Sequence, residues 1–551
     1  MKYHWLLFFL LFFFSAFDIF SLPYDIIPVG ESVLEDLRFL SIESGKSFLS
    51  FPPPLAPAEM EQFLYSIDSS LLSPPALEAF NRATKKLAPE AALSFSSDNF
   101  TVSFDINSTL EGKARFNNDI AWYPQYPKVS PLLSFPIRFY FADNLQLYIE
   151  PIIANYFGRD SSGTFDTNIP DEYASLDVNL AHRAFMAAGG SWWSFQLGRD
   201  RLFWGTGHTG SLSFSDNSPF FEFLRLSFFS KTFKYSLIIN QLPLEITDNL
   251  FINDTPPPGL DKDTDRMKTT QRYFYLHRID FSFLDNLSIG LMEGVMIGNS
   301  GPEIRYFNPL VIFHSFFSWN DYPKWYKDPN DERRHMNGSF FSFELNWNII
   351  KTLAAYGQFV MNELSLPMEI EDNPYPPPNA FGCIAGLQYT RSFDTWHSVF
   401  FLEFIYTYPY LYVLSSPFAS FIQAQKFSAS EYHYYFIGYP RDTMAVTFGT
   451  TFYKKDTLDL SGNFSLISRG QHDIKWDWKT GMAEEKGTYY ETTPTGIAEN
   501  KLIASFSAKW KLLPFLAFNG SITGILALNN SHIQDLNDIG GQAAFSVSFR
   551  Y

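Results

Sequence analysis

A glycine-rich stretch of this sequence contains the residue types that hydrolytic catalysis needs. His208 and Asp216 lie close to several serines, and serine, histidine and aspartate together form a hydrolase triad. No Gly-x-Ser-x-Gly elbow surrounds them, and no third partner can be placed from the sequence. No His-Glu-x-x-His spacing indicates a metal site, and the acidic run in residues 248–265 lacks the EF-hand spacing. We therefore predict a protein that is not an enzyme and that has no metal site and no cofactor.

Two other stretches combine aromatic, charged and amide side chains, which is the combination that glycan recognition uses. The residues that we predict to contact a glycan are Trp319, Tyr322, Trp325, Tyr326, Arg333, Arg334, Trp476 and Trp478. The alternative is that these aromatic side chains pack on one another or belong to the interfacial girdle of a membrane barrel.

The composition excludes some classes of protein. The chain has 551 residues, of which 19% are aromatic, yet its mean hydropathy is only -0.11. Strands that are apolar on one face and polar on the other give this combination. The formal charge of -17 argues against a nucleic-acid partner. The single cysteine, Cys383, excludes an internal disulfide and a cysteine-based zinc site.

Apolar and polar residues alternate over much of the chain, which is typical of β-strands. Phe343, Leu345 and Trp347 alternate with Glu344 and Asn346. Burying such an acid in a dry sandwich would be costly, whereas a water-filled lumen removes that cost. We therefore predict a transmembrane β-barrel with its apolar side chains facing lipid and its polar ones facing the lumen.

The connections between these strands alternate between short and long. Their number predicts an all-β closed barrel of about 18 antiparallel strands. Short turns on the periplasmic side and long extracellular loops are the outer-membrane arrangement. The last ten residues alternate in the same way and end on Tyr551, which resembles the closing strand that the barrel-assembly machinery recognises.

The N-terminal part differs in character. Residues 1–21 read as a signal peptide, because Lys2 precedes an apolar run of about ten residues, which is too short to span a membrane. Residues 22–91 have helical periodicity, with prolines at helix starts, and we predict a periplasmic helical segment that covers the lower mouth of the barrel. The alternative is a flexible leader. Residues 92–551 are assigned to the barrel.

Two patches of the sequence resemble the signature of the capsule-assembly Wzi family. The first patch consists of Gly198, Arg199, Asp200, Trp204, Gly205 and Gly207, followed by Ser215, Asp216, Asn217 and Pro219. The second patch contains Glu303, Tyr306, Asn308 and Pro309. Where the family usually has Trp-Gly-Pro, this chain has Thr206 at the third position.

The resemblance implies an outer-membrane lectin that holds capsular or related polysaccharide at the cell surface. From the residues themselves, the first patch favours a tight loop fixed inside the lumen, with direct glycan contact and a transport gate as alternatives. Arg199 and Asp200 can form an ion pair, Trp204 can stack, and Asn217 can bond loop backbone. The alternative functions are a channel or transporter for small solutes, and a structural adhesin.

Overall fold

The computed structural model describes most of the chain, in 22 ranges. These are residues 24–49, 52–88, 91–97, 100–117, 120, 130–141, 144–155, 164–170, 176–177, 183–218, 220–242, 271–298, 302–313, 337–364, 378–393, 395–414, 420–422, 424–426, 432–434, 438–454, 457–472 and 491–551. The predicted signal peptide lies outside these ranges.

The N-terminal segment contains helices α1 (Val33–Ser44), α2 (Pro57–Ser66) and α3 (Pro74–Lys86). Prolines begin α2 and α3, where the missing N–H group has no partner to lose. The backbone N–H of Ala56 donates to the Glu59 carboxylate at 3.0 Å, which caps α2. Helix α1 ends at Gly45, whose φ of 71° is in the left-handed region. Among the described residues, no helix combines the length and the apolar character that a membrane crossing requires.

The rest of the described chain is almost entirely β-structure. The strands before residue 250 are β1 (Leu93–Ser97), β2 (Phe100–Phe104), β3 (Asn107–Phe116), β4 (Leu133–Ser134), β5 (Ile137–Phe141), β6 (Leu145–Ile149), β7 (Ile152–Asn155), β8 (Phe165–Thr167), β9 (Leu176–Asp177), β10 (Ala184–Gly189), β11 (Trp193–Asp200), β12 (Phe221–Phe229) and β13 (Phe233–Leu242). The strands after it are β14 (Arg272–Leu284), β15 (Leu287–Gly298), β16 (Asn337–Ile350), β17 (Leu353–Glu363), β18 (Ala380–Ser392), β19 (Trp396–Thr407), β20 (Ala424–Lys426), β21 (Tyr432–Tyr434), β22 (Thr443–Lys454), β23 (Leu458–Arg469), β24 (Glu499–Leu513), β25 (Leu516–Leu528) and β26 (Asp538–Arg550).

All strands except β20 and β21 belong to one antiparallel sheet. Strands β10 to β19 pair in chain order, β19 pairs with β22, and β22 to β26 again pair in chain order. The last strand, β26, pairs with β3, and Tyr551 exchanges two backbone hydrogen bonds with Ile106. Strand β3 also pairs with β4, and β4 with β7. Strand β2, which precedes β3, pairs with β5, β5 with β6, and β6 with β10.

The predicted count of about 18 strands is wrong, because the large sheet contains 24. The excess arises near the start of the sheet, where long strands are broken into short ones. Pro136 separates β4 from β5, and Pro151 separates β6 from β7. Proline has no N–H group to donate, so it interrupts the ladder. Their carbonyl groups still accept hydrogen bonds from Asp105 and Phe135 on the neighbouring strands.

The two faces of the sheet have opposite character. Phe343 is 37% exposed and Trp347 is also exposed, whereas Glu344 between them is 1% exposed. The same holds in β18, where Leu387 is exposed and Gln388 is buried. We call the face with Phe343 and Leu387 the outer face and the face with Glu344 and Gln388 the inner face. The apolar side chains are therefore exposed and the polar ones enclosed, as the alternation predicted.

The N-terminal segment packs against the inner face beside the short connections. The Lys234 ammonium forms a buried ion pair with Glu59 of α2. The Asn348 amide donates to the Ser41 carbonyl at 3.0 Å, and Tyr24 is hydrogen-bonded to Ser194 at 2.7 Å. The segment has its own core, which includes Leu37, Leu55, Met60, Phe63 and Ala79. The helices thus fill the inner side of the sheet at its short-turn end.

Candidate functional site

The connection between β11 and β12, residues 201–218, folds onto the inner face, and we call it the inner loop. Its side chains Leu202, Trp204, Leu212 and Phe214 join one buried apolar cluster with residues from β12 to β22. Trp204 is 2% exposed and meets Phe214 edge-to-face, with ring centroids 6.0 Å apart. The loop is therefore packed closely against the inner face of these strands.

The inner loop depends on glycine for its tight path. The Trp204 N–H donates to the Phe214 carbonyl at 3.0 Å, and the Ser211 and Ser213 hydroxyls donate to the Trp204 carbonyl. A Cβ on Gly205 would lie 2.4 Å from the Ser211 hydroxyl oxygen. A Cβ on Gly207 would lie 2.3 Å from the Gly210 carbonyl oxygen. No other residue type can occupy either position without moving the loop backbone.

Glu403 of β19 anchors the tip of the inner loop. Its carboxylate is 0% exposed and accepts hydrogen bonds from the His208 N–H at 2.7 Å and the Thr209 N–H at 3.1 Å. It also accepts from the Thr209 hydroxyl and, at 2.9 Å, from the Tyr356 hydroxyl. Four donors therefore surround one buried carboxylate, which offsets the cost of removing it from water.

A second polar network lies beside Trp204. The Gln358 amide oxygen accepts from the Leu212 N–H at 2.8 Å, and its nitrogen donates to Glu344 at 3.0 Å. Glu344 also forms an ion pair of 2.8 Å with Arg278, whose guanidinium lies 5.8 Å from the Trp204 ring centroid. Buried charges that are paired in this way hold a loop in one geometry, because removing one partner leaves the other uncompensated.

The predicted ion pair between Arg199 and Asp200 is wrong. Consecutive residues of a strand point to opposite faces, so the two side chains cannot meet. Arg199 pairs with Glu222 on the outer face. Asp200 is fully buried and pairs with Arg183 at 2.8 Å. Gly198, which precedes them, has a φ of 132° that favours glycine.

The remaining residues of the first motif close the base of the inner loop. Asp216 forms an ion pair of 2.7 Å with Arg201, and the Asn217 amide donates to the Gly438 carbonyl at 3.4 Å. Ser215 is buried, and Pro219 lies outside the described residues. Asn217 thus bonds backbone, as predicted, but on a different connection of the chain.

His208 has an environment that keeps its imidazole neutral. Its Nε2 lies 2.6 Å from the Gln388 amide oxygen, and its ring stacks on Phe401 at 4.4 Å. Burial holds the pKa of His208 well below its ordinary value, and the nearby positive charge of Arg38 lowers this pKa further. Because Asp216 pairs with Arg201, the histidine and the aspartate that suggested a hydrolase have different partners.

A cavity of about 990 Å³ is lined by the inner loop, the N-terminal helices and the inner face of β22 to β24. Its lining includes His208, Asp216, Arg38 and Asp459. The Arg38 guanidinium also donates directly to the Thr206 carbonyl at 3.1 Å. Within the described ranges, no group of His, Cys, Asp or Glu side chains has the arrangement of a metal site.

The second motif lies on the opposite side of the sheet. Residues 302–313, which we call the outer strap, follow β15 and pack on the outer face of β13 to β15. Tyr306 is fully buried and stacks on Tyr275 with ring centroids 4.7 Å apart. Glu303 pairs with Arg305 at 2.8 Å, while Asn308 and Pro309 are exposed. The two patches that suggested one signature therefore occupy opposite faces.

The predicted glycan-contact residues fall on parts of the chain that the structure does not describe. Trp319, Tyr322, Trp325, Tyr326, Arg333, Arg334, Trp476 and Trp478 all lie in residues 314–336 and 473–490. Their role stays a prediction. Sequence reasoning missed Glu403 and Gln358, although each is a polar residue at an inner position of an apolar strand, which is a usable signal.

An antiparallel sheet with an apolar outer face and a filled inner side is typical of outer-membrane β-barrels with an occupied interior. The family model described as Capsule assembly protein Wzi matches residues 138–435, which is more than half of the chain. The chain therefore belongs to the capsule-assembly Wzi family. The matched residues include both motifs.

A solved structure supports the same fold. The chain aligns with Wzi, described as an outer membrane protein involved in group 1 capsule assembly in Escherichia coli and as a carbohydrate-binding β-barrel. The TM-score is 0.57 and the identity 13%, over 95% of this chain and 98% of that one. OccD3 (OpdP) of Pseudomonas aeruginosa aligns at a TM-score of 0.40 and 7% identity, over 82% of this chain and 91% of that one. OprD of the same organism aligns at a TM-score of 0.40 and 8% identity, over 82% of this chain and 95% of that one. No curated protein matches the sequence.

Proposed function

We propose that this protein is a closed outer-membrane β-barrel that binds or anchors extracellular polysaccharide at the cell surface. Membership of the capsule-assembly family supports this proposal. The exposed apolar outer face supports the membrane location, since in lipid an apolar face is matched and an open sheet edge is not tolerated. The pairing of β26 with β3 supports closure.

The observation that carries the proposal is the occupied interior. The inner loop packs a buried apolar cluster against the inner face of β12 to β22, and the N-terminal helices pack on the inner face nearer the short turns. A general pore requires a continuous water-filled path, whereas a surface-binding protein does not. The occupied interior therefore favours binding over transport.

The orientation in the membrane is part of the proposal. The helices contact the sheet beside its short connections, and short turns of outer-membrane barrels lie in the periplasm. These contacts support an N-terminal segment in the periplasm and long connections outside the cell. The C-terminal strand, ending at Tyr551, is then the segment that the barrel-assembly machinery would recognise.

Binding of labelled protein to an array of bacterial surface glycans tests the proposal. We expect retention of at least one acidic or neutral polysaccharide, and Trp319→Ala, Trp325→Ala and Trp476→Ala should each weaken it about tenfold, as loss of a central aromatic contact does. The matched control is Trp192→Ala, because Trp192 lies in the short turn between β10 and β11, at the end of the strands opposite to the long connections. Absence of any glycan binding, or equal affinity in all four variants, would contradict the proposal.

A further inference from the structure

The outer strap covers part of the outer face of the sheet. Under it, Leu237 is 3% exposed, and Tyr275 and Val295 are completely buried. Leu387 and Phe448 occupy outer-face positions on β18 and β22, and each is 47% exposed. A segment of only twelve residues therefore shields the outer face of β13 to β15.

The covered area contains a polar pair. His277 of β14 and Glu293 of β15 face each other in register, with the His277 Nε2 2.9 Å from the carboxylate. The outer strap covers most of both groups, whose side chains are 13% and 12% exposed. Phe313 donates its N–H to Glu293 at 2.9 Å. The Phe313 ring also stacks on the His277 ring at 4.2 Å.

The position of this pair along the strands places it deep in the outer apolar surface. In the same row of the sheet it lies between Leu237 of β13 and Phe341 of β16. From the Asp285 turn, strand rise and tilt put His277 roughly 18 Å up, within an apolar band of about 25 Å. An uncovered histidine and carboxylate at that depth would face hydrocarbon, which is strongly unfavourable.

The opposite side of the outer strap is apolar. Ile304 is 87% exposed, Leu310 is 91% exposed and Ile312 is 66% exposed. In the sheet beside the strap, Phe341 pairs in register with Glu293, and both Phe341 and Leu291 are exposed on the outer face. The charges of Glu303 and Arg305 neutralise each other. The exposed side of the outer strap is therefore apolar, like the outer face of the sheet beside it.

We propose that the outer strap is a membrane-embedded shield: it covers most of the His277–Glu293 pair against hydrocarbon and presents Ile304, Leu310 and Ile312 to lipid acyl chains. The inference rests on the proposed membrane location. It assigns the second motif a role in lipid contact rather than in glycan contact. The wall of the sheet can then carry a buried polar pair on the side where lipid would otherwise touch it.

Nitroxide labelling of single cysteines tests the proposal. In a Cys383→Ala background, labels are placed at Leu310→Cys, at Phe343→Cys on the outer face, and at Leu536→Cys, in the connection between β25 and β26. The full chain is reconstituted in dioleoylphosphatidylcholine vesicles. Collision rates with oxygen, which enters lipid, and with a nickel chelate, which stays in water, are measured by electron paramagnetic resonance.

We expect the labels at Leu310 and Phe343 to collide mainly with oxygen. The label at Leu536 should collide mainly with the nickel chelate. A Leu310 label that behaves like Leu536 would overturn the shield while leaving the membrane location intact. A Phe343 label that is open to nickel would instead overturn the membrane location. A Leu310 label that is closed to both agents and shows dipolar broadening would mean that a second copy covers the outer strap, which also contradicts lipid contact.

A second variant separates the seal from the surface. Phe313→Ala removes the stacking on His277, so the label at Leu310 should become more mobile and at least threefold more accessible to the nickel chelate. Phe307→Ala is the matched control, because Phe307 is partly exposed and outside the buried cluster. Equal mobility in the two variants would show that Phe313 does not hold the strap.

Discussion

The inner loop and the outer strap are segments of 18 and 12 residues that solve different solvation problems. The inner loop is held by hydrogen bonds to buried polar groups of the sheet, chiefly Glu403 and Gln358. The outer strap is held by aromatic stacking, of Tyr306 on Tyr275 and of Phe313 on His277. The polar inner face supplies partners for backbone, whereas the apolar outer face supplies rings and aliphatic surface.

The difference also shows in the residues that each segment leaves exposed. The inner loop turns His208 and Asp216 towards a cavity lined by polar groups. The outer strap turns Leu310 and Ile312 outwards. A family signature read as one functional unit therefore consists of a filling element and a covering element, and substitutions in the two should have distinguishable effects.

The largest effect is expected at the centre of the inner loop. Trp204→Ala removes a buried indole that packs on Phe214 and Arg278, and such truncations cost about 3–5 kcal/mol in the free energy of unfolding. Urea titration of protein in phosphatidylcholine vesicles measures this change. Trp192→Ala is the control, because Trp192 is exposed and stacks only on Phe228, so its loss should cost about 1 kcal/mol. Equal costs at the two positions would show that the inner loop is not part of the core.

The corresponding ring of the outer strap should come next. Phe313→Ala removes a fully buried phenyl ring and exposes the His277–Glu293 pair, so we expect a loss of about 3 kcal/mol by the same titration. Phe307→Ala should cost less than about 1 kcal/mol. If Phe313→Ala leaves the free energy of unfolding unchanged, the outer strap does not have the covering role that we assign to it.

A smaller effect is expected where the inner loop meets the wall. Glu403→Gln keeps the shape of the side chain but weakens charge-assisted hydrogen bonds from His208, Thr209 and Tyr356, which should cost about 2 kcal/mol. Glu222→Gln is the control, since Glu222 is exposed and its pair with Arg199 contributes at most about 1 kcal/mol. A larger loss for Glu222 would contradict the anchoring role of Glu403.

The smallest effect concerns pH. The pKa of His208 is lowered by burial, so the folded protein resists protonation of this ring, whereas the unfolded chain takes up the proton below about pH 6.5. Because the unfolded state then binds more protons, the free energy of unfolding should fall as the pH drops below about 6.5. His208→Gln should remove this part of the pH dependence while leaving the value at pH 8 nearly unchanged. The same slope in both proteins would mean that other groups cause it.

Much of the fold follows from local pattern. The alternation around Glu344 predicted which side chains face outwards, because successive side chains of a strand must point to opposite faces. The strand count could not be predicted as well, since Pro136 and Pro151 break ladders at positions where apolar periodicity continues. Local pattern also gave no register between strands, so it could not predict that β26 pairs with β3.

The site was less predictable than the fold. Close glycines predicted that the inner loop would be tight, and Trp204 and Asn217 packed and bonded as their chemistry suggested. The partners of the loop, Glu403 and Gln358, come from strands more than a hundred residues away, and no local signal specifies such contacts. For the same reason the sequence did not reveal that Tyr306 lies on the outer face.

Conductance in planar lipid bilayers tests the central claim, that the interior is filled, most directly. Purified protein should insert without producing steady ion currents. The doubly substituted Trp204→Ala and Glu403→Gln protein, in which the inner loop is loosened, should produce more frequent transient openings. Large, steady open currents from the unsubstituted protein would contradict the account and would favour a channel for small solutes.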